Sequence, residues 1–101
     1  AHITGGGLID NITRSVPEHL CLNIDLSRIE TLNIFKWIKS NNISDKEMLK
    51  TFNCGVGMVL AVAADQVNRI EAELEQNGTQ PIRIGSVVSE PGVHYSGNLP
   101  F

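Results

Sequence analysis

The sequence has few of the residues and patterns that mark disulfide-rich, nucleic-acid-binding or membrane proteins. It has two cysteines, Cys21 and Cys54, one tryptophan and one tyrosine, and its 8 basic and 11 acidic residues give a formal net charge of −3. Two cysteines do not make a disulfide framework, so we expect two free thiols in a reducing compartment. The acidic balance and the scattered basic residues argue against a nucleic-acid surface. No apolar run approaches the length of a membrane span, and no signal-peptide pattern is present.

Sequence signatures of metal sites and of nucleophilic catalysis are also missing. The histidines, His2, His19 and His94, show no His-x-x-x-His spacing, and no Cys-x-x-Cys pair occurs, so no metal site is predicted. There is no Gly-x-Ser-x-Gly elbow. Because no histidine can be paired with Cys54, we interpret this cysteine as a small hydrophobic residue rather than a nucleophile. No catalytic base is assigned.

The size and composition are those of one ordinary globular domain. The chain has 101 residues, of which 42% are hydrophobic and 19% charged, enough for a modest core. It begins at Ala1, without Met, directly in a glycine-rich motif. A triple glycine at a natural terminus would be a frayed end, so we expect a piece of a longer protein.

The centre of the chain combines bare backbone with an apolar run. Phe52-Asn-Cys-Gly-Val-Gly-Met58 is followed by the aliphatic segment 59–63, which predicts a buried strand. Gly55 and Gly57 allow a positive φ or a close approach to the backbone. The alternatives are a bulge or tight turn into the strand, or a place where a ligand meets the chain.

A second glycine-rich stretch, Gly5-Gly6-Gly7, precedes a short helix. Leu8, Ile9 and Ile12 have helical spacing, and Pro17 bounds the segment. A glycine loop that opens a helix directs backbone N–H groups to one place and can bind phosphate or carboxylate. The alternative is a plain turn or a flexible arm. It is not a P-loop, because no Gly-Lys-Ser/Thr follows.

The remaining pattern predicts an α+β (α/β-like) domain, with helices packed on a mixed sheet. A strand is expected around residues 22–26, a helix over 33–39 with Trp37 in the core, a helix capped by Ser44 and Glu47, a helix over 65–76 that stops at Asn77–Gly78, and a last strand over 82–88 with a possible bulge at Gly85. Asn53 is either the left-handed C-cap of the third helix or a ligand-facing amide.

Several motifs together resemble phosphoribosylformylglycinamidine cyclo-ligase, the aminoimidazole ribonucleotide synthetase family. They are Ala-His-Ile-Thr-Gly-Gly-Gly at 1–7, Asn11 and Arg14, Thr-Phe-Asn-Cys-Gly-Val-Gly-Met at 51–58, and Ile-Gly-Ser-Val at 84–87. The resemblance covers residues 1 to about 88. Thr13 departs from it, because the family usually has proline there. The tail, 89–101, carries no family motif, and we expect it to be loosely held.

The resemblance implies an enzyme of purine biosynthesis. Formylglycinamidine ribonucleotide and ATP would give aminoimidazole ribonucleotide, ADP and phosphate, with Mg²⁺ as the ATP-bound cation. The family is cytoplasmic and homodimeric, and its ATP-binding residues lie chiefly on an N-terminal domain that is missing from this chain. Residues 1–88 would be the later part of the C-terminal domain, which is partly ferredoxin-like, and the fragment alone would be inactive.

The same resemblance implies which residues bind the substrate or a phosphate, either that of the ribonucleotide or those of ATP. They are His2, Thr4, Gly5, Gly6, Gly7, Asn11 and Arg14 around the first glycine loop, and Asn53, Gly55 and Gly57 as a second wall. Two further hypotheses are a related ATP-dependent synthetase or kinase of the same superfamily, and a free-standing module that binds a small ligand. We also expect the chain alone to expose an apolar edge and to self-associate.

Overall fold

The computed structural model describes residues 1–89 and 92–101, which form four helices and a three-stranded sheet. The elements in chain order are α1 (Gly7–Thr13), β1 (Cys21–Asp25), α2 (Asn33–Lys39), α3 (Asp45–Thr51), α4 (Val67–Gln76), β2 (Gly85–Val88) and β3 (Gly92–Ser96). Single 3₁₀ turns at Leu26–Arg28 and Ala64–Gln66 follow β1 and precede α4.

The sheet is mixed, with β1 in the centre. β2 pairs with β1 antiparallel, and β3 pairs with it parallel, so that Cys21 lies between Val88 and Gly92. A parallel pair requires a long crossover connection, and α2, α3 and α4 lie between β1 and β3 in the sequence. The predicted α+β arrangement with a mixed sheet is confirmed.

Gly85 is a regular ladder position opposite Ile24, so the predicted bulge is wrong. A Cβ at this residue would lie 2.1 Å from the carbonyl oxygen of Asn23. The glycine therefore lets β2 come close to the backbone of β1.

The helices follow local sequence signals closely. The Ser44 side chain accepts a hydrogen bond from the backbone N–H of Glu47 and caps α3. The Glu47 carboxylate accepts from the Thr51 hydroxyl, so the capping box is half formed. Gly78, with φ of +80°, ends α4 as predicted. No helix in the described ranges has both the length and the apolar character needed to cross a bilayer.

The core lies around α1, α3 and β1. Its largest fully buried side chains are Leu8, Cys21, Ile29, Met48 and Cys54. The prediction that Trp37 belongs to the core is wrong, because this residue is 66% exposed. The apolar stripe of α2 is wider than the surface that covers it, and Phe35, which packs edge-on against Phe52, contacts the core instead.

The predicted central strand is also wrong. Residues 59–63 belong to no strand of the sheet, and Met58 makes an isolated bridge with His2. Met58 and Leu60 are 62% and 56% exposed. The aliphatic run has the composition of a buried strand, but the described residues supply no cover for its outer face.

The end of the chain differs from the loosely held tail that we expected. β3 pairs with β1 along its length, and Leu99 is buried. The backbone N–H of Leu99 donates to Asp45, whose other carboxylate oxygen lies 2.7 Å from Lys39 Nζ. Residues 90 and 91 of the predicted tail lie outside the described residues.

Candidate functional site

The two glycine motifs lie side by side because residues 1–3 pair with residues 57–59. The Ile3 N–H donates to the Gly57 carbonyl at 2.9 Å, and the Val59 N–H donates to the Ala1 carbonyl at 2.8 Å. His2 faces Met58 in the antiparallel bridge between these bonds. The structure therefore joins the first glycine loop to the second predicted wall, although more than 40 residues separate them in the sequence.

Gly7 fixes the glycine loop against helix α3. Its φ is +72°, and a Cβ would lie 2.2 Å from the Leu49 carbonyl oxygen and 2.6 Å from the Lys50 carbonyl carbon. Real Cβ atoms do not come this close to backbone, so only glycine fits. The Gly7 N–H also donates to the Thr4 carbonyl at 3.0 Å and closes the turn. Packing of α1 on α3 is therefore the physical reason for this glycine.

Asn11 holds the loop from beneath rather than pointing at a ligand. It is 8% exposed, and its Nδ2 donates to the Gly7 carbonyl oxygen at 2.7 Å. Its Oδ1 accepts from the Thr4 hydroxyl at 3.2 Å. The Asn11 and Thr4 side chains are thus used inside the loop, and both shape it.

Gly5 and Gly57 are the two glycines that packing does not explain. A Cβ at either position would meet no atom within 4 Å, and neither has a positive φ. Their bare backbone is accessible on neighbouring parts of the surface. Gly6, the N-cap of α1, is intermediate, because a Cβ there would lie 3.3 Å from Asp10 Cβ.

Asp10 is the residue near the loop that sequence reasoning missed. It lies in the first turn of α1, and one of its carboxylate oxygens lies 3.6 Å from the position that a Cβ on Gly6 would take. An acidic side chain opposes the binding of a bare anion here, but favours a phosphate that carries a cation. Its position one helical turn after the glycines was the available signal.

The second wall is a tight turn held by its own backbone and side chains. Asn53 Oδ1 accepts from the Gly55 N–H at 2.9 Å. The left-handed residues are Cys54 and Gly55, with φ of 53° and 94°, so the interpretation of Asn53 as a left-handed C-cap is wrong. A Cβ on Gly55 would lie 3.1 Å from the Glu30 carbonyl oxygen. Gly55 is therefore explained by the turn and its packing.

Cys54 is a buried thiol with no sign of nucleophilic activation. Its Sγ donates to the Met48 carbonyl at 3.6 Å. Burial raises the pKa of this thiol to about 11, and the nearby Asp45 carboxylate adds to the effect. A nucleophilic cysteine requires a lowered pKa and access, whereas Cys54 is 0% exposed.

His2 and Arg14 occupy different places relative to the loop. His2 is exposed and lies on the segment that pairs with Met58. Arg14 is the C-cap of α1, so the length of the helix, about 10 Å, separates its backbone from the glycine end. The structure thus pairs the segment of His2 with the segment of Gly57 and places Arg14 at the far end of α1.

The residues that the structure describes do not form a metal site by themselves. In residues 1–89 and 92–101, no three side chains of His, Cys, Asp or Glu come together as a metal site would require. Asp10 alone lies beside the glycine loop. These residues therefore fit Mg²⁺ only as a cation carried to the site by a phosphate ligand, since Mg²⁺ commonly binds through substrate phosphates with one or two carboxylates.

A cavity lies elsewhere on the domain. It has a volume of about 640 Å³ and separates α4 from β1, β2 and the segment 58–62. Gly55 and Gly57 border it, but the first glycine loop does not. We call it the α4 groove, and its apolar lining includes Leu60, Val62, Val67, Ile70, Leu74, Ile82, Ile84 and Val87.

One family comparison bears on the site as a whole. The chain matches the family described as AIR synthase related protein, C-terminal domain, over residues 1–96. The match includes both glycine motifs and reaches the last residue of β3.

Proposed function

The chain belongs to the family of C-terminal domains of AIR synthase related proteins, and on this basis we propose that it is part of a phosphoribosylformylglycinamidine cyclo-ligase. Members of this superfamily are ATP-dependent enzymes. The proposed reaction converts formylglycinamidine ribonucleotide and ATP into aminoimidazole ribonucleotide, ADP and phosphate. The protein would act in the cytoplasm as a homodimer, together with an ATP-binding domain outside these residues.

The observation that carries the proposal is the joining of the two glycine motifs through residues 1–3 and 57–59. Neither Gly5 nor Gly57 has a steric or conformational need to be glycine in the described structure. Both lie where a ligand can approach the main chain. Bare backbone at two neighbouring places suits a ligand that has a phosphate and a planar amide-like body.

The roles of the residues follow from their contacts. The backbone N–H groups of Gly5 and Gly6 would bind a phosphate, while Thr4 and Asn11 keep the loop in shape. Gly57 would leave room for the rest of the substrate, and exposed His2 could hydrogen-bond to it. Asn53 contributes through the turn that it stabilises. Arg14 has no place in direct phosphate binding in this arrangement.

ATP supplies the chemistry by activating the formyl oxygen, so that an amidine nitrogen can close the ring. The chain's own residues position the substrate, which is the main contribution that a protein makes to such a transfer. Asp10 is the carboxylate next to the loop that could contact a Mg²⁺ bound to phosphate. The other ligands of ATP and Mg²⁺ would come from the ATP-binding domain, so we expect the 101 residues alone to be inactive.

The decisive experiment uses the polypeptide encoded by the complete gene. ADP release from ATP is measured with and without formylglycinamidine ribonucleotide, and aminoimidazole ribonucleotide is measured in parallel. Substrate-dependent ADP release with matching product supports the proposal. ADP release at the same rate with and without this substrate would assign the chain to a related synthetase or kinase of the superfamily.

The glycine assignment is tested by variants that separate binding from folding. Gly5→Val and Gly57→Val place side chains in open space, so both should fold normally and raise the KM for the nucleotide substrate. Gly6→Val should also block ligand approach. Unchanged Michaelis constants for both substrates in all three variants would contradict the proposed binding loop.

A further inference from the structure

Residues 97–101, which we call the strap, follow β3 and lie outside the family match over residues 1–96. They are nevertheless packed into the domain. Leu99 is 4% exposed and belongs to the same core cluster as Met48 and Leu49 of α3. Phe101 packs against that cluster. The strap is therefore part of the core of this chain.

A charged pair fixes the strap to helices α2 and α3. The Leu99 N–H donates to Asp45 Oδ2 at 3.0 Å, and Asp45 is the first residue of α3. Lys39, the last residue of α2, places its Nζ 2.7 Å from Asp45 Oδ1 and also donates to the Phe101 carbonyl. The Lys39 and Asp45 side chains are 22% and 24% exposed, so solvent screens this pair less than a fully exposed one.

The Lys39 ammonium group also lies over the aromatic ring of the strap. Its Nζ is 5.7 Å from the centroid of the Phe101 ring, which is within the range of a cation–π contact. One group thus contacts a carboxylate, a carbonyl and an aromatic ring. Because it joins α2, α3 and the strap at one point, its removal should loosen the strap without emptying the core.

Helix α3 connects this point to the glycine loop 5–7. The strap is bound at Asp45, where the helix begins. At the other end, about 10 Å away along a helix of seven residues, the carbonyls of Leu49 and Lys50 lie against Gly7. A Cβ on Gly7 would lie only 2.2 Å from the Leu49 oxygen. Since closely packed groups transmit displacement, a shift of α3 must also shift the loop.

We propose that the strap holds α3 where the glycine loop requires it, and that Lys39 and Asp45 are positioning residues for this loop. They act through α3 and Gly7 rather than on a ligand. The effect on the loop is a property of the fold, whereas the effect on substrate binding rests on the proposed function. Release of the strap should leave a domain that is folded but whose glycine loop is less firmly held.

The test uses the polypeptide encoded by the complete gene, with Lys39→Met as the main variant. Methionine keeps an unbranched side chain beside Phe101 but removes the ammonium group that binds Asp45. Lys36→Met is the matched control, because Lys36 lies on the same helix, is exposed and forms no ion pair with any residue that the structure describes. Lys39→Arg, which keeps the positive charge, should restore part of what Lys39→Met loses.

The first measurement is amide hydrogen exchange, with the ladder between β1 and β2 as an internal reference. Lys39→Met should speed exchange of the Gly7 amide, which closes the loop, and of the Phe52 amide at the end of α3 by at least about threefold. The ladder amides should change less, because local loosening leaves the sheet intact. Unchanged exchange at Gly7, equal acceleration in the ladder, or an equal effect of Lys36→Met would each overturn the proposal.

The second measurement is the KM for the nucleotide substrate. In Lys39→Met it should rise by about three- to tenfold with kcat nearly unchanged, because a loosened loop weakens binding rather than chemistry. Faster exchange at Gly7 with an unchanged KM would support the strap and contradict the binding role of the glycine loop, so the two proposals fail separately. Deletion of residues 97–101 should give a larger effect of the same kind. Since it also removes Leu99 from the core, Lys39→Met is the deciding variant.

Discussion

Two regions of this small domain differ sharply in how they are packed. In the first, α1, α3 and β1 enclose Leu8 and Met48, both 0% exposed. In the second, α4, β2 and the segment 58–63 surround an open groove, and α4 has no buried residue. We call them the packed half and the open half. Stability should therefore be concentrated in the packed half.

The contrast shows that an apolar pattern in the sequence does not by itself ensure that a helix is buried in the fold. α4 is ten residues long and has the clearest amphipathic pattern, whereas α1 has seven residues. Yet α1 is the helix that is well covered, because Gly7 allows its backbone to touch α3. An apolar stripe predicts which side of a helix will be buried, but burial itself needs a partner surface.

The largest predicted difference is between core truncations in the two halves. Met48→Ala should lower the free energy of unfolding by about 2–5 kcal/mol, because it leaves a cavity in a closed core. Ile70→Ala in α4 should cost less than about 1 kcal/mol, since its side chain already borders the open groove. Urea denaturation of both variants at the same low protein concentration measures the difference. Equal losses would show that the two halves are equally packed.

The next prediction distinguishes a glycine that the packing of the loop requires from a glycine that has open space around it. Gly7→Ala should lower the free energy of unfolding by about 2–4 kcal/mol, because the Cβ collides with the carbonyls of α3 and φ is positive. Gly5→Ala is the control and should stay within about 0.5 kcal/mol. Thermal or urea unfolding compares the pair. A stable Gly7→Ala variant would mean that α1 does not lie against α3 as described.

Local signals in the sequence were sufficient for much of the fold. The Ser44 cap, the Gly78 stop and the helix after Gly6 each depend on a few neighbouring residues. The alternation from Leu22 onwards likewise identifies β1. The glycine motifs were correctly singled out as special backbone, and Gly7 and Gly55 do have positive φ.

Features that depend on distant partners could not be predicted in the same way. Trp37, Leu60 and Val62 look buried in the sequence, but they are exposed in the described structure. β3 was missed because its pairing with β1 spans some 70 residues, and residues 92–96 alone do not identify that partner. The supporting roles of Asn11 and Asp10 depend on which side chains meet inside the loop, which spacing alone does not give.

A smaller effect, specific to the packed half, should appear at alkaline pH. The pKa of the Cys54 thiol is raised from 9.0 to about 11 by burial. The folded chain therefore keeps a proton that the unfolded chain loses. This contribution is complete below about pH 9 and is lost as the pH rises to about 11, by an amount of the order of 1–2 kcal/mol.

Urea denaturation between pH 8 and pH 11 measures this loss. Tyr95, whose pKa is raised to about 12 by burial and by Asp10, contributes a change of the same sign from about pH 10. The Cys54→Ala variant is the control, because it keeps the tyrosine contribution and should show a shallower fall. Identical pH profiles for the two proteins would contradict the burial of this thiol.

The smallest predicted effect compares one helix-end hydrogen bond in each half. Ser44→Ala removes the cap of α3 and should lower the free energy of unfolding by about 1 kcal/mol, because α3 is part of the core. Asn77→Ala removes the 2.8 Å bond from Nδ2 to the Glu73 carbonyl at the end of α4. Since α4 has no buried residue and can fray by itself, this change should cost less than about 0.3 kcal/mol globally. It should instead speed amide exchange in the last turn of α4.

Ser44→Asp, which preserves a side-chain acceptor at the cap, should recover most of the lost stability. If Asn77→Ala cost as much as Ser44→Ala in global unfolding, α4 would have to be as firmly docked as α3, and the open groove would be closed in solution.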